Sequence, residues 1–224
     1  MQQTIPANEA ERLAALASYQ VLDTPPEFAF DALTELATEI CGCPALISLV
    51  DERRSWMKSK YGLPETMVEC PREITMCSAA ICGNDLLYIS NLTIDERFKN
   101  SPLVTDDPRI QFYCGMPLIN RDGYAIGSLC IIDFKPRELS PSQRGSVRRL
   151  AQQAMTQLEL RRQLLVGDAL VHELPKTKAA AETGMATLGY AAAKHFARTH
   201  RRRDKGNRPC RGTSPMRRAS PRLS

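Results

Sequence analysis

Cysteine is the residue type in this sequence with the greatest capacity for chemistry, because a thiolate can act as a nucleophile, a redox group or a metal ligand. The eight cysteines stand at positions 41, 43, 70, 77, 82, 114, 130 and 210. One interpretation is structural, since Cys114 and Cys130 lie in apolar runs, where a reduced thiol behaves as a small hydrophobic side chain. The alternative is a redox sensor in which Cys77 lies near Cys82 or Cys114, and that role requires a lowered thiolate pKa.

All three histidines follow residue 166: they are His172, His195 and His200. Residues 1–166 therefore cannot form a Cys-His or Ser-His-Asp nucleophile system, nor a metal site that uses histidine. An all-cysteine zinc site is also disfavoured, because neither Cys41–Cys43 nor Cys77–Cys82 has the usual ligand spacing. We expect neither a catalytic residue nor a metal ligand in this part of the chain.

Three arginines are candidate anchors for a buried phosphate, because convergent guanidinium groups bind phosphate oxygens: Arg72, Arg97 and Arg109. The other interpretation, which we favour, is that all three are solvated surface charges. No pattern in the sequence decides which ligand or cofactor, if any, is bound.

The clearest element of secondary structure in the sequence is a β-hairpin between residues 110 and 133. Apolar side chains recur at every second position, which predicts a strand with one buried face: Ile110, Phe112, Cys114, Met116 and Leu118. Asp122-Gly123 supplies the turn, because this pair readily adopts positive φ, and residues 124–133 form the second strand. Further strands are predicted at Ala45–Val50, Ser55–Lys60 and Leu87–Ser90.

Three helices are predicted to begin at capping boxes, at Asn8, Thr24 and Ser140. The last of them carries an apolar stripe and is expected to end at Gly167: Val147, Ala151, Ala154, Leu158 and Leu165. Brief helices are expected at 75–82 and 95–98. Together these elements predict an α+β fold, with a mostly antiparallel central sheet of five to six strands flanked by helices.

Residues 8–166 resemble a bacterial GAF domain, of the subgroup found ahead of histidine kinase or diguanylate cyclase modules. The resemblance is carried, in order, by these segments: 21–41, 45–63, 69–81, 88–104, 110–139 and 150–162. It implies a sensory domain that binds an unidentified small molecule or protein partner and that has no catalytic activity of its own. It also implies signalling through the last helix. The near-heptad stripe of that helix predicts a homodimer, with the distal end from Leu158 to Leu165 as the part left free for a second copy.

The resemblance further implies which residues line a ligand pocket: Trp56, Cys77, Phe98, Tyr113 and Cys130. Covalent attachment of a bilin through Cys77 is not expected. Met76-Cys77-Ser78-Ala79 stands where a Phe-Cys-Ala-His string is common in the subgroup, so both the aromatic residue and the histidine are missing, and no Asp-Ile-Pro string occurs.

The net charge of +5 is unevenly distributed along the chain. Residues 167–224 hold 13 Lys and Arg against 4 Asp and Glu, whereas residues 1–166 carry an acidic excess of 4. We therefore predict three parts: a sensor domain over 1–166, a remnant signalling helix or linker over 167–199, and a basic, disordered tail over 200–224. The tail has no aromatic interleaving, so no specific nucleic-acid binding is expected.

Residues 167–174 look like the opening of a histidine kinase dimerisation helix, which leaves a sensor histidine kinase, or a truncated remnant of one, as the alternative. The residues after His172, Pro175 to Lys178, depart from both common phosphoacceptor patterns, so we do not expect His172 to be phosphorylated. No run of 18 apolar residues and no secretory signal occur, which predicts a cytoplasmic protein without membrane insertion.

Overall fold

The computed structural model describes residues 5–167 and Lys194. Its centre is a six-stranded antiparallel sheet with the order β3-β2-β1-β6-β5-β4. The strands are β1 (Ala45–Val50), β2 (Arg54–Tyr61), β3 (Glu69–Pro71), β4 (Leu87–Ile89), β5 (Phe112–Ile119) and β6 (Ala125–Asp133). The α+β class with five to six strands is confirmed, and β3 is a strand that the sequence patterns did not indicate.

Five helices flank the sheet in the described part of the chain. They are α1 (Glu9–Ser18), α2 (Phe28–Cys41), α3 (Met76–Ala80), α4 (Pro102–Thr105) and α5, which begins at 141 and continues through 167. Residues Arg72–Ile74 add one turn of 3-10 helix. The expected helix at 95–98 is only a hydrogen-bonded turn, and the short helix follows it as α4.

The capping boxes have different outcomes. At α5 the box forms as predicted, because Gln143 N donates to Ser140 Oγ at 3.2 Å and Ser140 N donates to Gln143 Oε1 at 2.9 Å. Asn8 precedes α1 but makes no side-chain capping bond. The box at Thr24 was wrong, since α2 begins only at Phe28 and the Thr24 hydroxyl donates to a carbonyl before it in the chain.

Two apolar clusters cover the two faces of the sheet. The helix-side cluster joins the sheet to α1, α2 and α5 and includes Leu16, Phe30, Leu129, Ile131 and Leu158. The cavity-side cluster joins the opposite face to α3 and α4 and includes Met76, Tyr113, Cys130, Ile132 and Val104. Alternate residues of one strand therefore belong to different clusters.

The single buried face that we predicted for β5 was wrong. Tyr113 is 1% exposed and Cys114 is wholly buried, although neighbouring residues of a strand point to opposite faces. Every residue of β6 is also buried. Strands β5 and β6 are both covered on two sides, so polarity alternation along them is a weak guide to burial.

The hairpin turn itself forms as predicted. Gly123 has a φ of +86°, and Asn120 Oδ1 accepts hydrogen bonds from the backbone N–H groups of Asp122 and Tyr124, at 3.0 and 2.9 Å. Ile119 pairs with Ala125 across the end of the hairpin. The Asn120 side chain thus stabilises the backbone of the turn through two hydrogen bonds.

Buried and partly buried polar contacts join α5 to the residues that follow α1 and precede α2. Tyr19 donates from its hydroxyl to Glu159 at 2.6 Å, and Arg161 donates to the Tyr19 carbonyl at 2.8 Å and to Glu27 at 3.1 Å. Leu158 lies in the helix-side cluster and is wholly buried. Our expectation that Leu158 belongs to an unoccupied distal end of α5 was therefore wrong.

Gly127 marks a close approach between β6 and β1. A Cβ at this position would stand 2.1 Å from the Ser48 carbonyl oxygen, which is backbone and cannot rotate away. Gly145, in α5, has only an arginine tip within 4 Å. These two glycines allow the same substitution to be tested in opposite structural settings.

We expect Gly127→Ala to destabilise the domain by about 1–3 kcal/mol, because the β1–β6 ladder must shift to admit the methyl group. Gly145→Ala should instead stabilise it by up to about 1 kcal/mol, since alanine restricts the unfolded chain and suits a helix interior. Urea unfolding followed by circular dichroism measures both. Equal midpoints for the two variants would contradict the predicted close packing at Gly127.

Several predictions fall on residues outside the described part. These are the signalling remnant or linker over 167–199, of which only Gly167 and Lys194 are described, the basic tail over 200–224 and the phosphoacceptor role of His172. The boundary at residue 166 stays a prediction. None of the helices that the structure describes combines the length and the apolar character needed to cross a membrane.

Candidate functional site

A cavity of about 140 Å³ lies between the sheet and the segments that carry α3 and α4. It is lined by Leu46, Ser55, Met57, Met67, Glu69, Cys70, Thr75, Met76, Cys77, Leu103, Ile110, Tyr113, Cys130 and Ile132. Half of these side chains are aliphatic or methionine, so the wall is largely apolar, with a few polar groups at defined positions. Cavities of this composition are the usual place for a small ligand.

Strand alternation places two of the predicted pocket residues, Cys130 and Tyr113, on this wall. Cys130 and Ile132 on β6 face the cavity, whereas Leu129 and Ile131 between and beside them face the helices. Tyr113 pairs with Ile132 across the β5–β6 ladder. The neighbouring strands β5 and β6 therefore deliver a phenol and a thiol to the same face of the sheet.

Gly115 allows the Tyr113 side chain to lie across the sheet. It pairs with Cys130, and a Cβ on Gly115 would stand 2.2 Å from the Tyr113 hydroxyl oxygen. The phenol thus occupies the space that a side chain at position 115 would fill. As a result, the hydroxyl reaches the Cys77 sulfur at 3.7 Å.

The third group, Cys77, is positioned by the start of α3. Thr75 caps this helix, because its side-chain oxygen accepts from Cys77 N at 3.1 Å. The next residue, Ser78, donates to the Arg72 carbonyl at 2.6 Å and ties α3 to the preceding 3-10 turn. These bonds hold Cys77 over the sheet, with 5% of its surface exposed.

Together with Ser128 these three groups form a buried cluster of four residues, which we call the thiol cluster: Cys77, Cys130, Tyr113 and Ser128. The Cys77 and Cys130 sulfur atoms are 3.5 Å apart, and the Ser128 hydroxyl is 3.5 Å from the Cys130 sulfur. Two thiols, a phenol and a hydroxyl can share protons at these distances. Ser128 is the member that sequence reasoning missed; its place two residues before Cys130 on one strand face was the available signal.

The thiol cluster separates the two cysteines chemically. The hydrogen bond that Cys130 donates to Cys77 outweighs desolvation by burial and lowers the pKa of Cys77 to about 5. The same bond and burial raise the pKa of Cys130 well above its ordinary value. The other five described cysteines all have raised pKa values, for which burial is the largest cause: Cys41, Cys43, Cys70, Cys82 and Cys114.

The structure brings together only part of the predicted pocket. Cys77, Tyr113 and Cys130 line one cavity. Trp56 lies in the helix-side cluster, on the far side of the sheet. Phe98 is buried in the cavity-side cluster but is not among the lining residues, and its ring contacts the Arg97 guanidinium at 5.1 Å.

The redox hypothesis named the wrong partners for Cys77. Cys114 faces the helix-side cluster, because it follows Tyr113 on β5 and therefore points to the other face. Cys82 lies beyond the end of α3, is exposed, and its thiol donates to the Ser78 carbonyl at 3.3 Å. Cys130, which is 53 positions away from Cys77 in sequence, is the partner that the fold supplies.

The arginines are placed differently from our expectation. Arg97 and Arg109 are exposed, as we favoured, and Arg97 pairs with Asp95. Arg72 is only 2% exposed, so its interpretation as a solvated charge was wrong. It donates to Glu9 at 2.6 Å and to the Asp51 carbonyl at 3.0 Å, and it does not line the cavity.

Arg12 belongs to the same buried group. It is wholly buried, and it donates to both Glu9 carboxylate oxygens at 2.8 Å and to the Val50 carbonyl at 2.7 Å. The cluster of Arg12, Glu9 and Arg72 fastens α1 to the end of β1. Within the described residues, no three Cys, His, Asp or Glu side chains come together as a metal site.

Comparisons with known proteins agree on the family. A family model, "GAF domain", matches residues 25–158. A cyclic di-GMP phosphodiesterase of Pseudomonas aeruginosa is 35% identical over 133 residues, which is 59% of this chain but only 22% of that protein. The chain thus spans about a fifth of the length of this relative.

Solved structures share the fold at low identity. The GAF domain of the Thermosynechococcus elongatus PixJ protein, in its blue-light absorbing form, superposes with a TM-score of 0.52 at 16% identity, over 72% of this chain and 96% of that one. The GAF domain of an Acinetobacter phosphoenolpyruvate-protein phosphotransferase gives 0.51 at 15% identity, over 69% and 95%. At these identities the likeness establishes the fold and nothing about a ligand.

Proposed function

This chain belongs to the GAF domain family, a family of sensory domains in signalling proteins, and on that premise we propose that it senses a small molecule bound in the cavity beside α3. The observation that carries the proposal is the cavity itself. It is largely apolar, it contains the thiol cluster, and it lies against the two central strands of the sheet. Cys77, Tyr113 and Cys130 are the proposed ligand contacts.

The size of the cavity limits the ligand. Its volume of about 140 Å³ is close to the ~150 Å³ of an apolar protein cavity that holds benzene, and below the ~300–1,000 Å³ of pockets for drug-sized molecules. A cyclic nucleotide or a tetrapyrrole would have to displace lining side chains. A compact molecule about the size of benzene suits the cavity as it stands.

The central strand β6 supplies a route from the cavity to α5. Cys130 and Ile132 touch the cavity side, while Leu129 and Ile131 pack in the helix-side cluster with Leu158 of α5. A ligand that moves the first pair therefore alters the packing of the second. Signalling requires that the ligand bind one of two such arrangements more tightly than the other.

We propose that α5 passes this change to a second copy of the chain and to an output module. Leu160, Leu164 and Val166 are 48%, 69% and 57% exposed near the distal end of the helix, so they are available for a helix–helix contact. The activity of the Pseudomonas aeruginosa relative, a cyclic di-GMP phosphodiesterase, supports an output in cyclic di-GMP turnover, beside the histidine kinase and diguanylate cyclase modules that the sequence suggested. The full chain incubated with labelled ATP tests the kinase alternative: label on His172 would favour it.

Benzene is a suitable probe for the cavity. We expect saturating benzene to raise the melting temperature of the full-length protein, because a ligand that binds only the folded state stabilises it. Leu103→Trp, which places a larger side chain on the cavity wall, should abolish most of this shift. Leu164→Trp makes the same change at an exposed position of α5 and should retain it.

Hydrogen exchange in the same samples tests the route to α5. Benzene should slow amide exchange in α3 and change it in residues 141–167 of the wild type, and it should do neither in Leu103→Trp. Equal melting shifts in the wild type and Leu103→Trp would contradict ligand binding in this cavity. A melting shift without any change in α5 would contradict the proposed transmission.

A further inference from the structure

We propose that Cys77 and Cys130 form a peroxide-reactive site, at which a small hydroperoxide that enters the cavity converts the two thiols to a disulfide. This activity goes beyond binding of a ligand and does not depend on it. The thiol cluster and the cavity beside it carry the inference, because they bring a nucleophile, a second thiol and space for a small oxidant together.

The geometry permits the bond. The two sulfur atoms are 3.5 Å apart, and a disulfide requires ~2.05 Å, so they must approach by about 1.5 Å. Cys130 is fixed in a central strand, whereas Cys77 is on a helix of only five residues. Most of the movement therefore falls to α3.

The burial of the two sulfur atoms limits which oxidants can reach them. Cys77 is 5% exposed and Cys130 is wholly buried, so bulky disulfides such as oxidised glutathione cannot reach either sulfur. Both residues line the cavity of about 140 Å³, which has ample room for hydrogen peroxide. Large oxidants are excluded by sterics, and small hydroperoxides are admitted.

The two thiols have different roles in the reaction. Hydrogen bonds donated by Cys130 and the Tyr113 hydroxyl stabilise a thiolate on Cys77, and the pKa of Cys77 is lowered to about 5, so it is the nucleophile at neutral pH. Cys130, whose pKa is raised, keeps its proton until the second step.

In the first step the Cys77 thiolate attacks one peroxide oxygen. The S–O bond forms, the O–O bond breaks, and the leaving hydroxide takes the proton that Cys77 had released to solvent, which gives water and a sulfenic acid on Cys77. In the second step the Cys130 sulfur attacks the Cys77 sulfur. The S–S bond forms, the S–O bond breaks, and hydroxide leaves with the Cys130 proton as water. The thiol pair loses two electrons and the peroxide gains them.

The disulfide changes the same wall that a ligand would contact. It draws α3 towards β6 and removes the thiolate to which Tyr113 donates. Because Cys130 lies between Leu129 and Ile131, which pack against the helices, the oxidation state of the pair is transmitted to the helix side of the sheet.

Hydrogen peroxide and peptide mass spectrometry test the proposal on the full-length reduced protein. After stoichiometric peroxide, we expect the intact mass to fall by two hydrogen atoms, and a non-reducing digest to contain a peptide that links Cys77 to Cys130. A phosphine reductant added in denaturant should restore both thiols. In Cys130→Ser, which lacks the second thiol, dimedone added in denaturant after the peroxide should label a sulfenic acid at Cys77.

Cys114→Ser is the matched control, since Cys114 is another wholly buried strand cysteine on the opposite face of the sheet. This variant should form the Cys77–Cys130 linkage at the wild-type rate. If both thiols remain fully alkylatable after a peroxide dose that oxidises the exposed Cys82, the proposal is overturned. The wild-type digest decides this whether or not Cys130→Ser folds, and loss of benzene binding would leave the result unaffected.

Discussion

Leu158→Glu is expected to abolish folding of the domain. Leu158 is wholly buried in the helix-side cluster, so the substitution places a carboxylate in an apolar core without a partner. The destabilisation should exceed about 4 kcal/mol, which is comparable with the ~5–15 kcal/mol that stabilises a typical domain. Circular dichroism in a urea series measures it, and a cooperative transition with an unchanged midpoint would contradict the burial of this residue.

Leu164→Glu is the matched control on the same helix. Leu164 is 69% exposed, so this variant should unfold at the wild-type urea concentration within about 0.5 kcal/mol. It also tests the proposed dimer, because a charge between two copies of α5 should shift sedimentation to monomer. A wild-type protein that sediments as a monomer at micromolar concentration would remove the basis of that proposal.

Arg12→Met is expected to destabilise the domain by about 3–5 kcal/mol. Methionine preserves the packing of the side-chain stem, but the Val50 carbonyl loses the donor that reaches it at 2.7 Å and Glu9 loses two charge-assisted hydrogen bonds. Arg53→Met, at an exposed position, should change stability by less than about 0.5 kcal/mol. Equal urea midpoints for the two variants would show that the Arg12 contacts contribute nothing net.

Acid unfolding provides a second readout for the same group. Burial alone would raise the pKa of Glu9, but hydrogen bonds and charges from Arg12 and Arg72 outweigh it and lower the pKa from 4.5 to about 2. The stability that Glu9 contributes is therefore complete above about pH 4.5 and is lost as the pH falls towards 2. In Arg12→Met this loss should be smaller and should be complete at a higher pH, because one of the two cations that lower the folded-state pKa of Glu9 is gone.

Local chemistry explains why much of the fold could be predicted from the sequence. The capping box at Ser140 and the turn at Asp122-Gly123 each involve residues within four positions of one another, and both form as expected. Such contacts depend little on the rest of the fold. The succession of helices and predicted strands along the chain follows from the same short-range patterns.

Predictions that required a choice of face were less successful. Leu158 has the same apolar character as the exposed Leu164, and only the packing of α5 on α1 and α2 separates them. Trp56 and Phe98 likewise fall outside the cavity lining. In β5 and β6 both faces are covered, so the alternation of side chains could not show which layer each residue joins.

Residue types and short spacings were enough to predict the α+β class and the family, and they exclude histidine chemistry from residues 1–166. Which groups meet depends on the tertiary fold. Cys77 and Cys130 are 53 positions apart, and Arg72 and Glu9 are 63 apart. These contacts form because α3 and α1 pack on a sheet whose strand order differs from the order of the strands along the chain. No local sequence pattern predicts that packing.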